Sequence, residues 1–366
     1  MEHGPVIDCD VHHEFVSDED LIPYLSSGWQ EFIKGPGDGR HLPVLPPYGN
    51  YINPHGYHRK EAKLDDGRPE GSSLEKMTEQ LLEPYDVAHA VLTYNKVGFA
   101  GFRNPYYAAE TVRAYNDFTV DNWLAKDERL KGSILIAGHL PDLAAKEIRR
   151  LADHPQMVQV VIYTNALGPA FGNPIYAPIH EAAEETGLPI AIHSLGDGAG
   201  NAVTSCVGSS HGPDFYIEYH AGGLQGIYTH LMSFIFHGVF EKYKNVRLVL
   251  TEGGTAWIPA ALRRFDEDYR ALRQEVPWLK RHPSEYVQDH VRFTTQPLDI
   301  ESPSDPLLEP MKAYALENVL MYSSDYPHWD ADPVAQVARR LPKDWTDKVL
   351  RDNAAELYGL EVPVAA

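Results

Sequence analysis

The sequence predicts a (β/α)8 barrel: one domain over residues 1–366, with loop insertions at about 34–73 and 194–224. Three observations carry the prediction. Short apolar, β-leaning runs alternate with longer amphipathic stretches for most of the chain. The first run, Val6-Ile7-Asp8-Cys9-Asp10-Val11-His12, ends in acids and imidazoles. The last, Val319-Leu320-Met321-Tyr322, stops at Asp325 and His328. Polar side chains gathered where two hydrophobic strands end, at opposite extremes of one chain, make those strands neighbours at one mouth of a closed barrel.

In chain order the predicted strands are 5–12, 88–94, 131–137, 157–163, 188–193, 246–251, 290–295 and 318–323. Each is a short apolar stretch of the length a buried parallel strand needs. The predicted helices are 106–124, 143–152, 175–186, 225–243, 255–273, 307–315 and 333–340. A doubly wound sheet would alternate in the same way. However, no Gly-rich phosphate loop follows the first strand, which weakens a nucleotide-binding version. Two segments break the alternation: 34–73, containing Asn53-Pro-His-Gly-Tyr-His-Arg59, and 194–224, containing Tyr216-Ile-Glu-Tyr-His220. Loops this long inside a compact domain are commonly binding loops, and both are expected to wall a substrate pocket.

Hydrophobic residues make up 43% of the chain and charged residues 23%, enough for a substantial core. The net charge of −20 speaks against nucleic acid and against an anionic membrane. It leaves room for a small acidic substrate, because a local arginine overrides a distant field. The two cysteines, Cys9 and Cys206, cannot build a disulfide framework, and Cys9 is expected to pack away from the mouth. The start lacks a basic segment followed by an apolar one, and no apolar run reaches membrane-spanning length, so the expected location is the cytoplasm.

Asp10 and His12 lie two apart on a strand and project to one side. His193 closes the fifth strand, Glu252 the sixth and Asp325 the eighth. Each alone has a plainer reading: a core histidine, a helix-dipole carboxylate, a turn aspartate. Together they set carboxylates and imidazoles on four strands, a donor set that suits zinc, manganese or iron. Such an ion activates water, polarises a carbonyl or, when redox-active, binds oxygen. Arg59 is a candidate anchor for a substrate carboxylate. Glu218 and His220 could line the pocket; His55, His58 and His230 are weaker candidates, and Trp257 and Trp329 are expected to pack.

With these residues in view, the chain resembles the amidohydrolase superfamily, in the branch that includes aminocarboxymuconate-semialdehyde decarboxylase. The resemblance runs from residue 5 to about 340. It is carried by Asp8-Cys-Asp-Val-His12, by the run from Ile175 to His193, by Leu248-Val-Leu-Thr-Glu-Gly-Gly-Thr-Ala-Trp257 and by Ser323-Ser-Asp-Tyr-Pro-His328. It implies a (β/α)8 fold and metal ligands at Asp10, His12, His193 and Asp325. Asp10 stands where many members have histidine, although acids occur there in related decarboxylases. Glu252 replaces a common sixth-strand histidine, and no lysine ends the fourth strand (Ile162-Tyr163-Thr164-Asn165) to bridge two ions.

The expectation is therefore a metal-dependent hydrolase or non-oxidative decarboxylase of a small organic acid or amide. Asp325 or Glu252 moves the proton, and Arg59 orients the substrate. The alternative is an oxygen-dependent hydroxylase with a dinuclear iron or iron–manganese site, its second ion held by His13, Glu14, Glu252 and His328. A silent subunit paired with an active homologue is a third reading. It has no reason to keep donors on four strands. Self-association, or pairing with a homologous subunit, is compatible with each.

Overall fold

The computed structural model describes residues 4–34, 53–95, 102, 104–164, 168–194 and 213–362. Residues 35–52 of the first predicted insertion and 195–212 of the second, with Cys206, lie outside the described residues. Eight strands form one parallel sheet in sequential order: β1 (Val6–His13), β2 (Val87–Tyr94), β3 (Leu130–Leu135), β4 (Met157–Tyr163), β5 (Ile190–His193), β6 (Leu248–Thr251), β7 (Val291–Thr294) and β8 (Leu320–Met321). β1 and β8 close the ring. Cys9 N donates to Tyr322 O (2.9 Å), Asp325 N to Asp10 O (3.1 Å) and His12 N to Tyr326 O (2.7 Å), and Val11 bridges Tyr326 in parallel. The predicted (β/α)8 barrel is the observed fold.

The strands are buried on both faces, as parallel strands covered by helices must be; all seven residues of β4 are buried. Some helices begin at starts the sequence supplies. Asn104 accepts the amides of Tyr106 and Tyr107 ahead of Pro105–Asn122, and proline opens Pro141–Leu151 and Pro283–His290. Helix Ala177–Thr186 stops at Gly187, which takes φ 74°. The predicted helix over 225–243 is two helices, Leu224–Phe236 and Val239–Lys242. They part at Gly238 (φ 71°), where a Cβ would meet the Trp278 ring at 2.4 Å. Asn116 staples helix Pro105–Asn122 to the barrel: its side-chain amide accepts from Leu135 N (2.9 Å) and donates to Leu135 O (2.9 Å). Among the described residues no helix is long and apolar enough to cross a membrane.

Three features build the mouth. A register shift between Asp8 and Val11 puts a bulge in β1 just before its last residues. Asp8 Oδ1 fills the irregular stretch, accepting Asp10 N (3.3 Å) from its own strand and Ser324 N (2.9 Å) from beyond β8. The described part of the first insertion is fastened to the loop after β8. Arg59 N donates to Pro327 O (2.9 Å), Trp329 N to Tyr57 O (3.2 Å), and His58 bridges His328. The described part of the first insertion thus lies on the mouth where the strands end.

Candidate metal centre and active site

Asp10, His12, His193 and Asp325 converge at this mouth, each essentially without solvent exposure. His12 Nε2 lies 2.9 Å from Asp325 Oδ1 and 3.5 Å from Asp10 Oδ1, and His193 Nε2 lies 3.3 Å from Asp10 Oδ2. The contacts are close, but the angles are not those of hydrogen bonds. Asp10 Oδ2, His12 Nε2, His193 Nε2 and Asp325 Oδ2 are all buried without a hydrogen-bond partner. Unsatisfied buried polar atoms are costly, and here they face one another. Among the described residues, two groups have donor atoms near enough to share an ion: Asp10–His12–His193 and His12–Asp325–His328. The protein therefore offers two overlapping candidate clusters, a set for one divalent ion or two.

The backbone is strained where the acids stand. Among the described residues, Glu252 (φ 57°) and Asp325 (φ 59°) are two of the four non-glycine residues in left-handed conformation. Each such residue costs on the order of 1 kcal/mol. Glu252 does not act as a helix-start carboxylate. That position is held by Asp299, whose Oδ2 accepts Thr255 N (2.6 Å) and Ala256 N (2.8 Å) ahead of helix Ile258–Leu272. Glu252 instead turns to the site, 3.3 Å from His193 Nδ1 and within a 3.2 Å hydrogen bond of Ser194 Oγ.

Burial and close neighbours shift the titration of these groups. Burial, and then the charge of Glu252, push the Asp325 carboxyl well above its usual range. Burial likewise pushes Glu252 to about 8. Burial alone would lower His193, yet Asp10 and then Glu252 outweigh it and carry the ring to about 9. Asp10 is itself held low: the nearby His193 and His12 rings outweigh its burial. His12, by contrast, is kept neutral by burial, at about 4. A divalent ion would offset the buried carboxylate charge gathered here, and the orphaned donor atoms suit one.

The other predicted residues are sorted by position. His328 joins the site, with Nδ1 2.7 Å from Asp325 Oδ1 and its ring 4.2 Å from that of His12. His13 does not. One residue on from His12, it faces the helices, where Nδ1 meets Thr93 O (2.5 Å) and Nε2 meets Thr119 Oγ1 (2.7 Å). Both ring nitrogens are engaged, so the expectation of His13 as a second-ion ligand is corrected. Glu14 reaches the site's surroundings through Asn95, whose Nδ2 donates to its Oε2 (3.2 Å). Glu218 is a helix cap: its Oε2 accepts Asp214 N (2.9 Å) and Phe215 N (3.1 Å) at the start of Tyr216–Ala221, a local role in place of the expected pocket lining.

His220 pairs with Asp330 at 3.0 Å and leans on Trp329, with ring centroids 5.5 Å apart. Trp329 also stacks on His55 (5.1 Å, 5°), so it belongs to the loop wall rather than to the core. Trp257 packs as expected, its indole N–H donating to Gly253 O (2.8 Å). His230 is a core residue whose Nδ1 accepts Phe171 N (3.1 Å). Arg59 is half-buried beside the loop after β8. Sequence reasoning missed Thr93, whose hydroxyl donates to Asp10 Oδ1 (2.5 Å), and Asn95, which touches three side chains around the site. Both stand at or just past the end of β2, and that position was the available signal.

A buried His/Asp centre at the strand-end mouth of an eight-stranded parallel barrel defines a metal-binding enzyme site. The chain belongs to the amidohydrolase family, whose model matches residues 7–360. It is 22% identical over 296 residues to the γ-resorcylate decarboxylase of Rhodococcus jostii (strain RHA1), covering 77% of this chain and 86% of that one. Among solved structures it resembles an amidohydrolase of Mycobacterium avium subsp. paratuberculosis K-10, with TM-score 0.70, 17% identity and coverage of 98% and 99% of the two chains. It also resembles the 5-carboxyvanillate decarboxylase of Novosphingobium aromaticivorans DSM 12444, with TM-score 0.67, 18% identity and coverage of 98% and 97%. The protein is an amidohydrolase-superfamily enzyme with a candidate metal-binding active site, consistent with a metal-dependent hydrolase or decarboxylase.

Proposed function

We propose that the chain is a metal-dependent, non-oxidative decarboxylase of a small carboxylic acid, with hydrolysis of an acid or amide as the neighbouring chemistry. The observation that carries the reading is the convergence of four orphaned, buried donor atoms from Asp10, His12, His193 and Asp325. In support, relatives over most of the chain are named decarboxylases of carboxylic acids, and one similar solved structure is a decarboxylase complexed with manganese.

Asp10, His12, His193 and Asp325 would hold the ion, which would supply positive charge to polarise the substrate's oxygens. Arg59 pairs with a substrate carboxylate. The C–C bond to the leaving carboxylate breaks, carbon dioxide departs, and the carbon it leaves takes one proton from the protein. Burial raises the Glu252 carboxyl above its usual range, which suits it to give that proton, and it would be reset by a proton from solvent. Asp325 is the other acid placed to move that proton. The His12–Asp325–His328 cluster favours a second reading, an oxygen-dependent hydroxylase with two iron ions or an iron–manganese pair.

Anaerobic assay of zinc-, manganese- and iron-loaded protein with a panel of hydroxylated benzoic acids separates the two. Carbon dioxide released in step with acid consumed, without oxygen, is the expected result. Turnover seen only with iron and oxygen would replace this reading with the second.

A further inference from the structure

We infer that Asn95 is a positioning residue: it holds His328 in the tautomer protonated on Nε2, and so turns the Nδ1 lone pair of His328 onto the site as a further nitrogen donor. The inference rests on the metal-dependent reading above and adds to it a residue that touches neither ion nor substrate.

The argument is one of donors and acceptors. Asn95 Nδ2 lies 3.2 Å from Glu14 Oε2 and 3.0 Å from His58 Nε2, while Asn95 Oδ1 lies 3.1 Å from His328 Nε2. A carboxylate only accepts, so the Asn95 nitrogen must face Glu14. An amide nitrogen has two hydrogens, and the second goes to His58 Nε2. His58 is then protonated on Nδ1, which lies 3.4 Å from the acceptor Glu70 Oε2, so the chain is self-consistent. With its nitrogen committed, Asn95 presents only its carbonyl oxygen to His328. That oxygen requires a hydrogen on His328 Nε2.

A neutral imidazole carries one hydrogen, so His328 Nδ1 keeps its lone pair. That lone pair meets Asp325 Oδ1 at 2.7 Å, and the same oxygen is 2.9 Å from His12 Nε2. Two acceptors at hydrogen-bond distance need a proton or a cation between them. A histidine that ligates a metal through one nitrogen is typically oriented by an acceptor on the other. Asn95 is that acceptor. The network also ties β2's end and the first insertion to the loop after β8, which fixes the ring's plane as well as its tautomer.

The test reads tautomers directly in metal-free protein labelled with nitrogen-15 histidine, by long-range proton–nitrogen correlation at mildly alkaline pH. The His328 signals are those lost in His328→Gln. The wild type is expected to show the Nε2–H form at His328, and Asn95→Leu to lose it in favour of a tautomer mixture. Asn95→Asp keeps the accepting oxygen and should retain the Nε2–H form, which guards against a Leu variant that fails to fold. Adding zinc should then shift His328 Nδ1 while Nε2 stays protonated. A Nδ1–H form in the wild type, an unchanged tautomer in a folded Asn95→Leu, or a His328 Nδ1 that ignores zinc while His12 and His193 respond would each overturn the inference. If none of the three histidines responds to zinc, it is the metal-dependent reading that falls, and the metal-free spectra still decide the tautomer.

Discussion

Asp325→Asn should stabilise the metal-free protein and at the same time abolish its stabilisation by metal. Asp325 is fully buried, with its carboxyl driven well above the usual aspartate value of 3.8 by burial and neighbouring acids. In the unfolded chain this group is ionised at pH 7. Keeping it protonated in the fold therefore costs at most about 4 kcal/mol, at 1.36 kcal/mol for each of the roughly three pH units involved. The neighbouring acids readjust when one is removed, so about half of this, roughly 2 kcal/mol, is the expected gain. Asparagine tolerates the left-handed backbone at this position, and its amide can still donate to His328 Nδ1.

At about 2.1 cal/mol/K per residue the unfolding entropy of a chain of 366 residues is roughly 0.8 kcal/mol/K. The gain is thus about 3 °C in melting temperature. A group with a raised folded pKa is harmless below its unfolded pKa and costs stability as pH rises. The difference should therefore vanish near pH 3.8 and grow towards pH 7. With zinc at about a hundredfold excess over its dissociation constant the wild type gains about 2.7 kcal/mol and the order reverses. Melting curves of both proteins, with chelator and with zinc, read all of this. A variant that melts lower without metal and keeps the full zinc increment would refute the reasoning.

Other expectations follow from the same structure. Glu252→Gln should leave the ion bound and slow turnover by about a hundredfold or more, as loss of a general acid does; unchanged turnover would remove Glu252 from the chemistry. Arg59→Leu should raise the apparent KM for acidic substrates by about ten- to a hundredfold with little change in kcat, the value of a charge-assisted hydrogen bond. Wild-type kinetics across a panel of acids would make Arg59 a loop residue only. His180 and His230 are each held neutral by burial, from 6.5 to about 4. Because the unfolded chain binds their protons first, stability should fall as pH drops below 6.5 towards 4, by up to about 1.4 kcal/mol per pH unit for each. Denaturant unfolding of metal-free protein across that window checks the slope, and a flat profile would contradict it.

The barrel was legible because several strands are short apolar runs, such as Ile190-Ala191-Ile192 and Leu248-Val249-Leu250. Even β8, which pairs over only Leu320–Met321, announced itself by stopping at Asp325. Helix Pro283–His290 was not predicted, since Ser284-Glu285-Tyr286-Val287-Gln288-Asp289 has too few apolar positions to show a periodicity. Asp10 and His12 were found by strand parity, and the same parity should have turned His13 away. Glu218 was misread because a capping carboxylate three residues into a helix looks, in sequence, like any loop acid. Asn95 and Thr93 carry no ionisable group, so their importance is visible only once β2 stands beside β1.

The central claim is that Asp10, His12, His193 and Asp325 hold a divalent ion. Its most direct test is elemental analysis of purified wild type, His12→Ala, His193→Ala and Asp325→Ala, each folded by circular dichroism and dialysed identically after loading with manganese or zinc. The account predicts at least one ion per wild-type chain and a clear loss in every variant. Full occupancy in all three variants, or a wild type that retains no ion, would contradict it.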